Sequence, residues 1–537
     1  MSWQFSSCIL KFPRSCNRHK SPMDLLEPLS SLPALLYVPL LVGSLCLVFN
    51  YLVYSRRVSE WRKSKIPFLE PSFLIGHKYF WSVGSNSAVV PIDRIYRENK
   101  DKDLVAFFIA TMPVVLVRSP ALIKQILAKN FDKAFETWWG ASPHDEIAQH
   151  VLGQSTDKGV WKSDRNTLSP MFATGRVGGK NFAKITNQIT NMWTHAEEAR
   201  LKGKPINTQQ VTTNFIQDGF SNSFFGMDAN SYEKKTELRK LVQGFVKPGW
   251  SRLLSGFNLQ GAQAFDSLKF ITQKDMDSMK RLLQKQMALR SQTGCNENDF
   301  IDILVDLKEQ DQDKKMDSEM DITNEMVGLG LSLLFAGGIS VGFVASFTLH
   351  LLSLHPEYQE RIREEVEEVM KKHNTTEFTY EVVRDLHFID QCLRETARLY
   401  PNNTALTRVC TEDMTLAGTD YTLKKGQRVI FSPYSVHRDP QYFEDPDKFD
   451  PDRLNSKYKD SIDAFLAFGK GPRKCPGKNV GLLMGSALIG SLVHKYEVRP
   501  RSHTKQMDAY DFHPRSFAIV HKDDIFVDFK PREVVSC

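Results

Sequence analysis

Between residues 32 and 53 the chain reads LPALLYVPLLVGSLCLVFNYLV, without a single charge. At 1.5 Å of rise per residue, such a helix spans ~33 Å, enough to cross the hydrocarbon core of a bilayer. A cleaved secretory signal needs a small-residue cleavage site after its apolar stretch, but here Arg56, Arg57, Arg62, Lys63 and Lys65 follow instead. These cations form a stop-transfer flank and place the long C-terminal part in the cytosol. The sequence therefore predicts a retained transmembrane anchor at 32–53 and a basic linker at 54–66. Residues 1–31 are a lumenal segment or an extension: Lys11, Arg14, Arg18 and Lys20 precede a second methionine, Met23, an alternative start followed by Asp24 and Glu27.

The rest has a soluble composition. With 41% apolar and 25% charged residues, the 537-residue chain is neither disordered nor collagen-like. Seventy basic residues against 63 acidic ones give +7, which suits an anionic membrane surface or an acidic partner better than nucleic acid. The 8 cysteines are sparse and none has CxxC spacing, which excludes a disulfide scaffold and a thiolate zinc site. No repeat, low-complexity tract or long linker interrupts residues 67–537. Residues 104–109 and 113–117 alternate like a hairpin, and a helix starts at Pro120. Helical periodicity dominates from about 131 to 399, with loops near 203–205, 249–261 and 291–297. Strand and turn return at 413–431, late helices follow Pro476, and short strands close the chain. The expected class is mostly α with minor β, in one large domain at 67–537.

The sharpest constellation is Phe468-Gly469-Lys470-Gly471-Pro472-Arg473-Lys474-Cys475-Pro476-Gly477. Glycines let backbone N–H groups approach a sulfur. Arg473 is a charge-assisted donor for a carboxylate, and Pro476 is suited to open a helix whose positive end faces a thiolate. The run resembles the haem-thiolate loop of the cytochromes P450, F-G-x-G-x-R-x-C-x-G, at every fixed position. The resemblance implies the P450 prism fold and haem b with Cys475 as the thiolate ligand of the metal. It also implies Phe468, Arg473 and Gly477 as cofactor-binding residues, Arg473 toward a propionate. Such a ligand pushes electron density onto the iron and favours O–O cleavage. The plainer alternative is an inert cysteine in a glycine-rich turn.

Glu395 and Arg398, at i and i+3, share one helix face. ExxR also occurs at Glu197/Arg200, Glu360/Arg363 and Glu381/Arg384, where a solvated helical pair is the simpler reading. The 395–398 copy lies in CLRETARLYP, ahead of the cysteine loop, and resembles the P450 K-helix. Downstream, FDPDR is close to the family's P-x-R-F, with Leu454 in place of Phe. Together these imply a buried cluster of Glu395, Arg398 and Arg453 that fixes the cysteine loop. Trp161 and Arg165 in WKSDR resemble the C-helix W-x-x-x-R, and Arg408 matches an arginine after the K-helix. The resemblance implies haem propionate contacts for these; ordinary exposed arginines are the alternative. HRDP at 437–440 reads as a turn.

Residues 323–354 are apolar nearly all round and read as one long buried helix. Gly337 and Gly338 in its middle cost ~1 kcal/mol each relative to Ala. That cost suits a local opening over the haem, or else a helix-packing glycine pair. AGGIS resembles the family's A/G-G-x-D/E-T and makes Gly337, Gly338 and Ser340 the catalytic positions. Ile339 replaces the usual acid, whereas Ser340 keeps a hydroxyl. A proton relay would therefore run through water.

The order of these features resembles most the animal microsomal group, which includes xenobiotic-oxidising members. It implies a monooxygenase on the endoplasmic reticulum membrane that inserts one atom of O₂ into an apolar substrate. Electrons would come from NADPH through cytochrome P450 reductase, with cytochrome b5 as a further partner and no nucleic acid. Lys470, Lys474 and Lys478 are either a docking surface for that reductase or ordinary solvated charges. Ile339 keeps a second chemistry open, a reductase-independent isomerase or dehydratase acting on a lipid hydroperoxide or endoperoxide. A non-catalytic haem sensor is a third. Candidate pocket residues are Phe335, Trp138 and Phe517, with segments 137–147, 402–406 and 513–517.

Overall fold

A computed structural model describes residues 34–72, 76–138, 145–232, 236–246, 271–310, 322–454, 463–501, 504–516 and 518–532. The chain divides into two units, 1–63 and 64–537. The first contains one described helix, α1 (Ala34–Arg62), and its stretch Pro39–Arg62 is a candidate membrane span by length and composition. The helix does not stop at residue 53. Residues 54–62 hold neither Gly nor Pro, and Arg56 pairs with Glu60 one turn on at 3.2 Å, so most of the expected basic linker is helical.

The larger unit is mostly helical with a minor β part. Its strands are β1 (Leu104–Ile109), β2 (Met112–Val117), β3 (Ile206–Asn207), β4 (Leu406–Val409), β5 (Met414–Thr415), β6 (Thr422–Leu423), β7 (Arg428–Phe431), β8 (Tyr496–Pro500) and β9 (Phe526–Pro531). The alternating apolar runs form the expected hairpin, in register Leu104↔Val117 to Ile109↔Met112. One sheet has the order β1-β2-β7-β4 and a second β3-β9-β8, while β5 and β6 form a ribbon. Six helices position the site: α2 (Lys158–Leu168), α3 (Thr208–Phe225), α4 (Asn324–Gly337), α5 (Ser340–Leu354), α6 (His387–Leu399) and α7 (Lys478–Lys495). Residues 249–261, expected as a loop, lie outside the described residues.

The helix expected over 323–354 is two helices, α4 and α5, separated by a turn at Gly338 and Ile339. The Thr323 side chain caps α4 by accepting the Met326 N–H (3.2 Å). Helix α3 lies antiparallel along α5 and meets the end of α4. The Thr208 and Ser346 hydroxyls meet at 2.7 Å, and Thr212 Oγ1 donates to Gly342 O at 2.8 Å. A Cβ on Gly342 would lie 3.0 Å from Thr213 Cα, and one on Gly337 only 2.1 Å from the Phe220 ring. Phe220 stacks on Phe224 at 4.1 Å and cannot swing aside freely. Gly337 thus answers to packing, whereas Gly338 takes part in the turn. Ile339 is 6% exposed and belongs to the main core, so a carboxyl at that position would meet apolar side chains rather than water.

Helix α7 begins at Lys478 with Gly477 as its N-cap, so Pro476 precedes the helix instead of opening it. Two glycines let α7 lie directly on its neighbours. A Cβ on Gly481 would be 3.1 Å from Val341 of α5, and one on Gly485 3.0 Å from Leu393 of α6.

Gly337→Ala should cost ~1–3 kcal/mol by forcing the ring of Phe220 to move. Urea denaturation of Gly337→Ala, Phe220→Leu and the double variant checks this. The double variant should cost clearly less than the sum of the two single changes; strict additivity would show that the ring is not the obstacle.

Candidate active site

Gly469 and Gly471 adopt φ of +69° and +70°, a region that L side chains rarely occupy. Gly471 is also pressed against the helical turn Gln125–Lys129, where a Cβ would lie 1.9 Å from Leu127 O. The Cys475 N–H donates to Phe468 O (2.8 Å) and the Lys474 N–H to Gly471 O (3.0 Å), which closes the loop around the cysteine. The half-buried Phe468 ring lies 6.2 Å from Phe465, with the Lys478 ammonium 5.5 Å from its centre. The sulfur keeps accessible surface although the protein encloses most of it. Burial pushes the Cys475 thiol up. The Gly477 N–H, which donates to the sulfur, and the charges of Arg165 and Lys478 pull it back toward the thiolate.

The carboxylate of Glu395 accepts from Arg398 Nε and Nη2, both at 2.8 Å, and from Arg453 Nε at 3.4 Å. Glu395 and Arg398 are 0% exposed. Arg398 spends its remaining donors on His437 O (2.7 Å), Pro446 O (2.6 Å) and Lys448 O (3.1 Å). Arg453 donates to Glu444 O and Asp445 O, and the Asp450 N–H reaches Glu395 at 3.2 Å. The cluster thus ties the end of α6 to segment 437–453. Of the other ExxR copies, Glu197/Arg200 pairs on the surface, Glu360 pairs with an Arg363 that is itself buried and also donates to Val493 O (3.1 Å), and Arg384 pairs instead with its neighbour Asp385.

His437, read from sequence as part of a turn, is the link from this cluster to the cysteine loop. Its Nε2 accepts the Leu466 N–H (2.8 Å), so Nδ1 carries the proton and donates to Arg398 O (2.8 Å). Burial, and then the charges of Arg398 and Arg438, hold its pKa down to about 3, so the ring stays neutral. Only its place in a histidine–arginine–aspartate–proline run marked it in the sequence.

Three arginines gather beside the loop. Arg165 Nη2 donates to Lys474 O at 2.9 Å, and its charge acts on Cys475. Arg473 lies 4.7 Å over the Phe135 ring and 5.7 Å from that of the buried Trp161. It donates to Phe135 O (2.9 Å), Leu152 O (2.8 Å) and Ser155 O (3.2 Å). Arg408 is buried, donates to Thr407 O at 2.7 Å, and leaves its Nε without a partner. Among the described residues none of the three pairs with a carboxylate. Burial lowers Arg408 to about 10. Burial, then the charges of Arg408 and Arg165, lower Arg473 well below its usual range. A guanidinium keeps its proton regardless, so these shifts register positive charge that lacks a counter-anion. Haem, with two carboxylates and an iron that takes a thiolate, is a group these residues fit.

The helix break lies at the same level, since Val341, beside Ser340, packs on Gly481 in the first turn of α7. Ala336, Ser340 and Val344 recur every four residues and keep accessible surface, as do Phe335, Gly337 and Val341 beside them. The Ser340 hydroxyl donates to Ala336 O. Gly338 is buried behind this face.

The profile of the family described as Cytochrome P450 matches residues 77–525. The chain belongs to the cytochrome P450 family. This cytochrome P450 is 25% identical over 513 residues to cytochrome P450 6B7 of Helicoverpa armigera, covering 93% of this chain and 99% of that protein. It is 28% identical over 467 residues to cytochrome P450 6j1 of Blattella germanica, covering 85% and 90%. With probable cytochrome P450 9f2 of Drosophila melanogaster it shares 27% over 429 residues, covering 76% and 82%. These are insect proteins, in line with an animal-type resemblance, and the family is one of haem monooxygenases with a cysteine thiolate ligand.

Some expected pocket residues fall elsewhere. Trp138 is buried beneath the sheet, its Nε1 donating to Val429 O at 3.2 Å, and so belongs to the core. Phe335 is half-buried, and Phe517 lies outside the described residues. Lys470 pairs with Asp463 at 3.2 Å, while Lys474 is exposed.

Removing one member of the buried cluster should be severe: Glu395→Gln should cost ~3–5 kcal/mol, because two guanidinium groups lose their carboxylate. His437→Ala should cost ~2–4 kcal/mol, leaving the Arg398 carbonyl and the Leu466 N–H unpaired. The lowered His437 pKa adds a sign. The unfolded chain takes a proton below about 6.5, so His437 contributes stability above that pH and loses it as pH falls toward about 3. Urea denaturation at about pH 7.5 and about pH 5 should therefore show less acid destabilisation in His437→Ala than in the wild type.

Proposed function

We propose that this P450 is a membrane-anchored monooxygenase in which Cys475 is the haem ligand and electrons arrive from NADPH through a reductase. The reading is carried by three arginines, Arg165, Arg408 and Arg473, which have no carboxylate partner among the described residues and converge beside a cysteine whose sulfur receives a backbone N–H. Haem, when bound, supplies the activation of O₂ and its insertion into an apolar substrate. The chain's own residues do the rest. Arg165, Arg408 and Arg473, with Trp161 packed against Arg473, would receive the propionates. Gly477 and Phe468 shape the two sides of the cysteine. The Glu395–Arg398–Arg453 cluster, through His437, holds the loop to α6. Gly338 takes part in the turn between α4 and α5, Gly337 admits the Phe220 ring behind it, and Ser340 offers a hydroxyl on its accessible face. To move a proton outward, that hydroxyl must release Ala336 O and turn.

Helix α1 with its basic C-terminal end supports anchoring in the endoplasmic reticulum with the haem domain in the cytosol. The exposed Lys474 supports a cysteine-side docking face for reductase and cytochrome b5. The resemblance to the animal microsomal group, which includes xenobiotic-oxidising members, points to an apolar organic substrate. The burial of Ile339 where the family carries an acid favours a second reading, isomerisation or dehydration of a lipid hydroperoxide.

Two measurements separate these. The ferrous–CO complex should absorb at ~450 nm in the wild type and lose that band in Cys475→Ala; a band that survives the change would remove Cys475 from the site. With reductase and an accepted substrate, NADPH should be oxidised with many of its electrons reducing O₂ to hydrogen peroxide instead of forming product, since general acid help is worth about 10²–10⁴ in rate and Ile339 provides none. Ser340→Ala should lower product per NADPH further. Turnover of a lipid hydroperoxide without reductase, indifferent to Ser340→Ala, would establish the second reading instead.

A further inference from the structure

Arg473 is oriented by a segment that carries no family signature. Two of the carbonyls that receive its guanidinium, Leu152 O and Ser155 O, lie just after a short helix, Glu146–Gln149, capped by the Asp145 side chain on the Ala148 N–H (3.0 Å). The segment lies flat on α4, where a Cβ at Gly328 would come within 2.4 Å of His150 Cβ and 2.8 Å of Ile147 O. One turn on, Ser332 Oγ accepts the Leu152 N–H at 2.9 Å and lies 3.3 Å from His150 O. On its other side the segment meets α2, where His150 Nδ1 contacts both carboxylate oxygens of Asp164, at 3.2 and 3.0 Å. Asp164 is 1% exposed and His150 22%. Among the described residues Asp164 hydrogen-bonds only to His150. A carboxylate so deeply buried needs that counter-charge.

We propose that His150 and Asp164 are positioning residues: their ion pair clamps residues 147–155 between α2 and α4 and, through Leu152 O and Ser155 O, sets where the Arg473 guanidinium points. The proposal rests on reading Arg473 as a haem propionate contact. It gives haem retention a pH dependence that a purely structural contact would lack. The charged groups facing His150 are Asp164 from α2, Glu325 from the first turn of α4 and Glu146 from its own short helix. Burial disfavours the imidazolium, but these three carboxylates outweigh it and His150 titrates above 6.5. Burial likewise lifts the Asp164 carboxyl, with His150 pulling it down. A raised histidine pKa means that the clamp's contribution is whole below about 6.5 and is lost as pH rises through the folded value. On the acid side the clamp holds until the lifted Asp164 carboxyl takes a proton.

The test follows haem transfer from ferric holoenzyme to excess apomyoglobin between about pH 6 and about pH 9, well below the melting temperature, with circular dichroism as a control. Wild-type release should accelerate severalfold across this range. His150→Gln and Asp164→Asn should release haem roughly three- to tenfold faster at the acid end and show no inflection. His150→Lys keeps a cation that does not titrate here, so its release should stay slow and flat. A wild-type profile without an inflection, or one profile shared by wild type and variants, overturns the clamp. Arg473→Ala separates the two readings. If it releases haem no faster than the wild type at any pH, the propionate role of Arg473 fails; if it releases fast while the His150 and Asp164 variants match the wild type, the positioning proposal alone fails.

Discussion

Glu395 and Arg398 are ionised groups taken wholly out of water, and much of the site's architecture hangs on the way that cost is met. Coulomb attraction between one carboxylate and two guanidinium groups would not suffice. What completes the balance is that the remaining donors of Arg398 and Arg453 are satisfied by carbonyls from segment 437–453. That segment is therefore held to α6 by charge-assisted bonds at many points. His437, neutral because it is buried beside two arginines, passes the constraint to Leu466 at the start of the cysteine loop. The loop itself has little apolar surface and depends on such external fixing.

A second group of charges follows the opposite rule. Arg165, Arg408 and Arg473 donate to carbonyl oxygens but to no carboxylate among the described residues. The first cluster is internally neutralised and so reads as architecture. The second is left positive and so reads as a receptor for an anion. The same residue type serves either purpose depending on whether the chain supplies the counter-charge.

The broken helix α4–α5 shows a third balance. Helix α3 approaches so closely at Phe220 and Thr213 that side chains at Gly337 and Gly342 would be excluded. Ala336, Ser340 and Val344, with Phe335, Gly337 and Val341 beside them, keep accessible surface. Ile339 points into the core, so the acid that the family carries has no counterpart on that face. Any proton delivery past Ser340 must then rely on a hydroxyl already donating to Ala336 O.

Residue order alone was enough for the fold class, the hairpin at 104–117, the apolar N-terminal helix and the cysteine loop, because these depend on local geometry and on residue types that few other structures require. The loop's glycines are legible since positive φ is a local property. ExxR was not decisive by itself. The copy at 197 is a surface pair and the copy at 360 joins a buried arginine to an exposed carboxylate; only long-range packing buries both partners at Glu395 and Arg398. Pairing across distance likewise decided the role of His437, whose partners lie 39 and 29 residues away. It decided the meaning of Gly337, set by a ring on another helix, and it joined His150 to Asp164. Sequence spacing reports neighbours within a turn or a strand. Which distant backbone carbonyl meets a guanidinium, and which side of a helix another helix covers, is settled only when the core packs.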